Sequence, residues 1–381
     1  MEHFITKIKI KKVRHLENIE ICLSETERRH LLITGRNGSG KTSLLEAVLK
    51  CLRGGLYDPE QYKLKIYNTE SWFDADKNNG VKVHFNMGEL KENFNAGEFV
   101  TAYFPALRKA KIILAKGVED VKLVVNYEFC ATPEELLIKY MVHLKTQQAY
   151  ARQEGDIRVE ENIQAWFSRF ENALRVLLED ESIKMEYDYK NYNFLLHQAG
   201  RLPFGFNELS DGYSSVIQIV TNLIMRMEQN WLLKDTLGNY NVEGVALIDE
   251  LETHLHIELQ RKILPFLVSF FPRVQFIVST HSPYVLTSIS NATVFDLEKR
   301  VAFDDMSSYS INDVSIGYFD SKDYSQELAK KLNRYRELLA LSNPSYEERA
   351  ERVELRMELE NIQGSLVPRI KSAFEDLETR R

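Results

Sequence analysis

Four short constellations in this chain carry side chains that could do chemistry. The first is Gly35-Arg36-Asn37-Gly38-Ser39-Gly40-Lys41-Thr42-Ser43, which contains a Gly-x-x-x-x-Gly-Lys-Thr loop. Glycines let successive backbone N–H groups turn inward around a polyphosphate, and a helix starting at the lysine adds the positive end of its dipole. Lys41 would then reach the β- and γ-phosphates, and the Thr42 hydroxyl would take one position on Mg²⁺. The second is Asp249-Glu250, directly behind the apolar run Val245-Ala246-Leu247-Ile248. The first carboxylate suits a divalent cation through water, and Glu250 is placed to orient or deprotonate an attacking water. The third is His281, in Ser279-Thr280-His281-Ser282-Pro283 behind a second apolar run; its imidazole can donate to a γ-phosphate oxygen and so report its presence. The fourth, Leu209-Ser210-Asp211-Gly212-Tyr213, opens an apolar helix, where a hydroxyl, backbone N–H groups and the helix dipole converge. Taken alone it is weak, because an N-cap without a ligand explains Ser210 equally well.

These groups need particular elements beneath them. The β-branched apolar residues 31–34 predict a strand running into the glycine loop, and helical spacing after Lys41 predicts a helix to about residue 53 that stops at Gly54-Gly55. Residues 245–248 and 274–278 read as buried strands that deliver the carboxylates and the histidine to their C-terminal ends, where an open α/β sheet keeps its site. Residues 3–23 read as a hairpin and 81–85 as a strand, while 56–80 are mixed, with Asp58-Pro59 and Asn78-Asn79-Gly80 as turn signals. Another strand-like run from Phe99 leads to Arg108, which reads as approaching nucleotide, a neighbouring subunit, or plain solvent. From Thr132 the texture is helical, with helices to Ala149 and over residues 159–178, then a hairpin over 183–197. Residues 216–227 form an apolar helix, and a further helix follows His256 to residue 267, ended by Pro272. Beyond Phe295 the pattern weakens, with Asp304-Asp305 in a loop. Leu328, Leu332, Tyr335 and Leu339 then form a helical stripe, Asn343-Pro344-Ser345 breaks it, and Leu355, Leu359 and Ile362 begin another. Self-association, docking on the core and partner binding are all open for this tail.

With 381 residues, 44% hydrophobic and 28% charged, the chain has the makeup of an ordinary globular protein. Its apolar runs are too short to span a bilayer, and its N-terminus lacks a signal-peptide core, so the expected location is the cytoplasm, away from membranes. Cys22, Cys51 and Cys130 are scattered and form no Cys-x-x-Cys pair, which argues against a disulfide framework or a zinc site. A net charge of −7 argues against a uniformly basic nucleic-acid binder, although Lys7, Lys9, Lys11, Lys12 and Arg14 make a local patch that reads mainly as a solvated strand face.

Taken in order, the four constellations resemble the ATP-binding-cassette ATPases, most strongly their soluble branch of RecF, SMC and OLD-like proteins. The segment from Asp249 to His256, with Ser279 to Pro283, looks especially like the OLD-type branch and the Septu and PARIS ATPase subunits of antiphage defence. The resemblance covers roughly residues 1–300. It implies an α/β P-loop NTPase of the ABC type, a mixed sheet flanked by helices, with an inserted helical lobe and a C-terminal helical tail. On that likeness residues 1–131 and 201–320 build the nucleotide-binding core, 132–200 the insertion and 321–381 the tail. Gly35 to Thr42 become Walker A, Leu209 to Tyr213 the signature, Asp249 and Glu250 the Walker B pair and His281 the switch histidine, with ATP and Mg²⁺ as cofactors. Asp211 and Tyr213 depart from the transporter signature, Ile257 stands where many relatives have proline, and no glutamine-loop residue is evident.

In this family two heads face each other and each ATP lies between one phosphate loop and the other head's signature, so Ser210 and Gly212 complete a neighbour's site. The expectation is a head-to-head homodimer that hydrolyses ATP and regulates a separate effector, such as a nuclease. RecF-like DNA repair, with duplex DNA as a partner, and a transporter subunit are the alternatives.

Overall fold

Apolar segments pair as strands in the interior because pairing satisfies their backbone once water is excluded. The computed structural model describes residues 2–57, 64–67, 70–74, 80–86, 90–234, 240–311, 314, 326–341, 344–360, 374 and 378. The chain divides into two compact units, Met1–Ser308 and Tyr309–Arg381. The first opens with β1 (Ile5–Val13), β2 (Leu16–Cys22), β3 (His30–Thr34), α1 (Lys41–Tyr57), β4 (Leu64–Tyr67), β5 (Glu70–Asp74), β6 (Val81–Phe85), α2 (Leu90–Asn95) and β7 (Phe99–Phe104). It continues with α3 (Leu137–Glu154), α4 (Ile157–Leu177), β8 (Lys184–Asp188), β9 (Asn193–His197), α5 (Asp211–Lys234), β10 (Glu243–Ile248) and α6 (Ile257–Phe270). β11 (Val274–Ser279), the one-turn α7 (Pro283–Leu286), β12 (Ala292–Asp296) and β13 (Val301–Phe303) complete it. The second unit contains α8 (Gln326–Ala340) and α9 (Tyr346–Glu360).

A six-stranded sheet in the order β13-β12-β3-β11-β10-β7 carries the site. All its neighbours pair in parallel except β12 and β13, and β3, β10, β11 and β12 are buried along their whole length. A second, antiparallel sheet runs β2-β1-β6-β5-β4. α1 lies between the two: Leu44, Leu45, Val48, Cys51 and Leu52 share one core with Ile8, Ile10 and Val83 of one sheet and with Leu31, Ile33, Leu247 and Ile277 of the other. Buried Gln275 stitches them together, accepting from the Ile5 N–H at 2.7 Å and donating to the carbonyls of Ile5 and Arg29. The phosphate-loop helix is thereby held on both sides.

Packing overrides several local signals. α1 runs through Gly54-Gly55 to Tyr57, because Leu52 and Leu56 are buried in the core, which outweighs roughly 1 kcal/mol of helix propensity per glycine. α5 is longer than its apolar stretch, beginning at Asp211, and α6 ends at Phe270, before Pro272. The mixed residues 56–80 contribute β4 and β5, while Asp58-Pro59 and Asn78-Asn79 lie outside the described residues. β13, an antiparallel edge strand three residues long, is too short to show a period.

α3 and α4 pack on α5 through a buried acid. Glu228, with 1% exposure, accepts from the Trp166 indole N–H at 2.6 Å and from the Tyr140 hydroxyl at 2.9 Å. Burial pushes its carboxyl up to about 7 against these hydrogen bonds. The folded chain therefore holds a proton that the unfolded chain has released. The associated stability is complete below the ordinary carboxylate range and is lost as pH rises through about 7, up to roughly 3 kcal/mol in all. Glu228→Gln should flatten this slope, narrowing the gap in melting temperature between pH 5 and pH 8. An unchanged gap would show that Glu228 does not set it.

In the second unit, Leu332, Tyr335, Leu359 and Phe374 form a small core, with Leu328, Leu339 and Leu355 packed against it.

Candidate functional site

β3 ends at Thr34, and the loop that follows turns on glycines with φ of 137° (Gly35), 84° (Gly38) and 98° (Gly40). At Gly38 and Gly40 the left-handed backbone is what turns N–H groups toward one side, and any side chain there would be strained. Lys41 opens α1 with its Nζ donating to the carbonyls of Gly35 (2.9 Å) and Arg36 (3.2 Å). Burial pulls its ammonium down while Glu250, Glu252, Asp249 and Asp296 pull it up, so the lysine sits in a ring of carboxylates.

β10 brings Asp249 and Glu250 to this loop, and β11, beside it, brings Ser279 and His281. The Thr42 hydroxyl donates to Asp249 Oδ2 at 2.8 Å, and the Ser279 hydroxyl donates to Asp249 Oδ1. Two oxygens from distant parts of the chain are therefore in register at one point. Glu250 has φ of 46°, an unusual value for a residue with a side chain; its N–H donates to Ser279 Oγ at 2.8 Å. The His281 N–H donates to Glu252 Oε1, and its ring Nε2 is buried with no partner among the described residues, as is Glu252 Oε2. Burial, and then Lys41, lower the His281 imidazole from its ordinary value, so it is neutral at neutral pH.

A cleft of about 390 Å³ is lined by Asn37, Gly38, Gly40, Lys41, Thr42, Ser43 and Glu250, and also by Arg14 and His15. These last two stand on the β1–β2 turn, where Arg14 has φ of 51° and His15 Nε2 lies 3.1 Å from the Ser39 carbonyl oxygen. Sequence reasoning did not place them here. A tight turn folding over a loop 24 positions later leaves no local pattern. Part of the β1–β2 basic face is charge-paired, Lys7 and Lys9 sharing Glu20 and Lys12 meeting Glu17, while Lys11 is exposed.

Arg108 faces neither nucleotide nor solvent. Its guanidinium is 7% exposed and donates to the carbonyls of Pro105 (3.1 Å), Asp249 (2.7 Å), Glu250 (3.1 Å) and Leu251 (2.8 Å). Burial pulls it down to about 10 against the pull of Glu252, Asp249 and Glu250, so it remains a cation. It clamps the turn that carries both carboxylates.

Ser210 and Gly212 do not line this cleft. Ser210 is exposed at the start of α5, its carbonyl accepting from the Ser214 N–H at 2.8 Å, and Asp211 pairs with Lys109 at 2.9 Å. Gly212 lies against the turn beyond Glu250: a Cβ there would stand 2.5 Å from the His254 carbonyl oxygen. The start of α5 thus touches the carboxylate turn of its own chain while presenting its serine outward.

Residues 133–287 match the AAA_21 family model, described as an AAA domain, Type IV TA system. The Septu protein PtuA of Bacillus mycoides (strain KBAB4) is 26% identical over 383 aligned positions, covering 96% of this chain and 50% of the relative. The "Retron Vc95 probable ATPase" of Vibrio cholerae is 39% identical over 87 residues, 23% of this chain and 16% of that one. Among solved structures, an SMC head bound to the C-winged helix domain of ScpA aligns with a TM-score of 0.41 at 14% identity, covering 78% of this chain and 96% of that one. The chain spans about half the length of the Bacillus mycoides relative. On an α/β P-loop fold, residues 133–287 are therefore similar to an AAA_21 ATPase domain, and the chain is similar to the Septu protein PtuA across nearly its whole length.

Proposed function

We propose that this chain is the ATPase of an antiphage-defence system, closing on ATP between two head-to-head copies and thereby controlling a separate effector, such as a nuclease. One observation carries the two-copy part: the phosphate loop and Glu250 line a single cleft, with Asp249 bonded to its Thr42, while Ser210 stands exposed outside it at a helix start. A second copy can present that serine to the open side of the cleft. ATP then joins the two copies, and hydrolysis releases them. Homology to a Septu protein supports the defence role. The net charge of −7 weighs against the DNA-repair reading.

Within the cleft the glycine loop would hold the phosphates and Lys41 would neutralise them. The Thr42 hydroxyl and Asp249 carboxylate fit Mg²⁺, which takes few protein oxygens and leaves the rest of its shell to phosphate and water. The ion would neutralise charge on the transferring phosphoryl group. Glu250 would orient or deprotonate the attacking water, and neutral His281 would donate to the γ-phosphate. Arg14 and His15 would border the nucleotide on the far side of the loop.

Phosphate release and mass, each measured with and without ATP, test the reading. ATP should raise the mass of a slow-hydrolysing chain from one copy to two, and Ser210→Arg should abolish that rise while leaving nucleotide binding to the single chain intact. ATP binding with no change of mass would remove the two-copy mechanism. Phage plating on cells expressing the chain with its neighbouring reading frames tests the defence role, which fails if plating is unaffected.

A further inference from the structure

The second unit presents a helix with two apolar faces, only one of them covered. α9 is started by a capping box, in which the Ser345 N–H donates to Glu348 Oε2 at 2.7 Å and the Glu348 N–H to Ser345 Oγ at 3.2 Å. Its inner face packs on α8 through Leu355 and Leu359, flanked by the Arg334–Glu351 and Lys331–Glu358 pairs. On the opposite side Tyr346, Ala350, Val353 and Met357 repeat at spacings of four, three and four, the a/d spacing of a heptad. Tyr346 is 88%, Val353 50% and Met357 60% exposed, and Ala350 is exposed as well. A stripe at that spacing, opposite the face already used, is in excess of what the α8–α9 hairpin needs.

The charges beside the stripe name its occupant. With Ala350 and Met357 at a and Tyr346 and Val353 at d, the e positions are Glu347 and Glu354 and the g positions are Arg349 and Arg356. One edge is acidic and the other basic. In a parallel pair of helices a g residue meets the e residue five positions on in its partner, so Arg349 meets Glu354 of the second copy, twice by symmetry. In an antiparallel pair g meets g and e meets e, setting arginine against arginine and glutamate against glutamate. Among the described residues neither Arg349 nor Glu354 is in an ion pair within its own chain.

We infer that α9 is a self-pairing helix: it lies parallel to the α9 of a second copy, with Tyr346, Ala350, Val353 and Met357 as the seam and Arg349–Glu354 as the orienting pairs. Two heptads are too short to hold two free chains together in water, so the pairing works as an intramolecular latch between copies already joined elsewhere. It rests on the head-to-head reading only for that joining.

The test uses the full chain with Cys22→Ser and Cys130→Ser, which removes the exposed thiols and keeps buried Cys51. Tyr346→Cys and Met357→Cys are then introduced separately, with Tyr189→Cys on the exposed β8–β9 turn as a control. Parallel pairing predicts that positions 346 and 357 each form a disulfide-linked dimer on mild oxidation, while position 189 does not. Antiparallel pairing would hold two copies of residue 346 about 16 Å apart, so failure at 346 together with linkage of 346 to 357 in mixed chains overturns the inference. Glu354→Arg should lower the yield about tenfold, since both attractive contacts become repulsive, and adding Arg349→Glu should restore it. A yield indifferent to these reversals overturns the inference as well. Measuring mass in parallel separates the two readings: an ATP-dependent dimer without linkage at 346 or 357 removes the latch alone, whereas linkage without an ATP-dependent dimer removes the head-to-head site alone.

Discussion

Glu250→Gln is expected to leave ATP binding intact and to slow hydrolysis about 10²- to 10³-fold, trapping the two-copy state. The substitution keeps the size and the hydrogen-bonding reach of the side chain but removes the basic oxygen that orients or deprotonates water. The surroundings favour a clean result. Glu250 approaches the phosphate loop from the end of β10, whereas the groups that would grip phosphate, the loop N–H groups and Lys41, come from the end of β3 and the start of α1. Binding and chemistry are thus assigned to different strands, and a change at one leaves the other in place. Single-turnover hydrolysis measured beside nucleotide affinity decides the matter: a rate within threefold of the parent chain removes Glu250 from the chemistry, and a large loss of affinity would show that it holds nucleotide instead.

How much of this was legible in the sequence depends on the range of the signal. The glycine loop, the carboxylate pair and the histidine each sit at the end of a buried strand, and a fully apolar run followed by polar residues is a local pattern. The sheet order that makes those ends neighbours is not local, yet the parallel βαβ rule narrows it enough for the site's location to be expected. Arg14 and His15 were invisible as cleft residues because only the packing of the β1–β2 turn on Gly40 and Ser39 brings them there; a Cβ on Gly40 would lie 3.0 Å from Leu16 Cδ1. The continuation of α1 past Gly54-Gly55 was hidden for a related reason, since local propensity favours a stop and only the buried leucines on either side overrule it. For Arg108 sequence reasoning offered nucleotide, a neighbouring subunit or solvent. All three assume a cation that seeks an anion or water, whereas the folded chain uses its two terminal nitrogens on four backbone carbonyls, partners that carry no sequence signature.

Arg108 for that reason carries the second large expectation. Three of the carbonyls it holds belong to the consecutive residues Asp249, Glu250 and Leu251, and the middle one has the left-handed backbone that aims the Glu250 side chain. A lysine in its place has a single ammonium where the guanidinium spreads two nitrogens over four acceptors, so two or more buried carbonyls lose their partner at about 1–3 kcal/mol each. Arg108→Lys should therefore lower the melting temperature. The sharper consequence falls on the chemistry, because a shift of Glu250 by about 1 Å is worth roughly 10²-fold in rate. Arg108 touches neither loop nor phosphate, so it acts as a positioning residue, and its loss should reduce kcat with KM nearly unchanged. Measured well below the variant's melting temperature, that split distinguishes positioning from simple loss of fold. A normal kcat in a chain that merely melts earlier would make Arg108 a brace and nothing more, and would mean that the bonds of Glu250 to Ser279 and to the Thr253 N–H suffice to keep its backbone conformation.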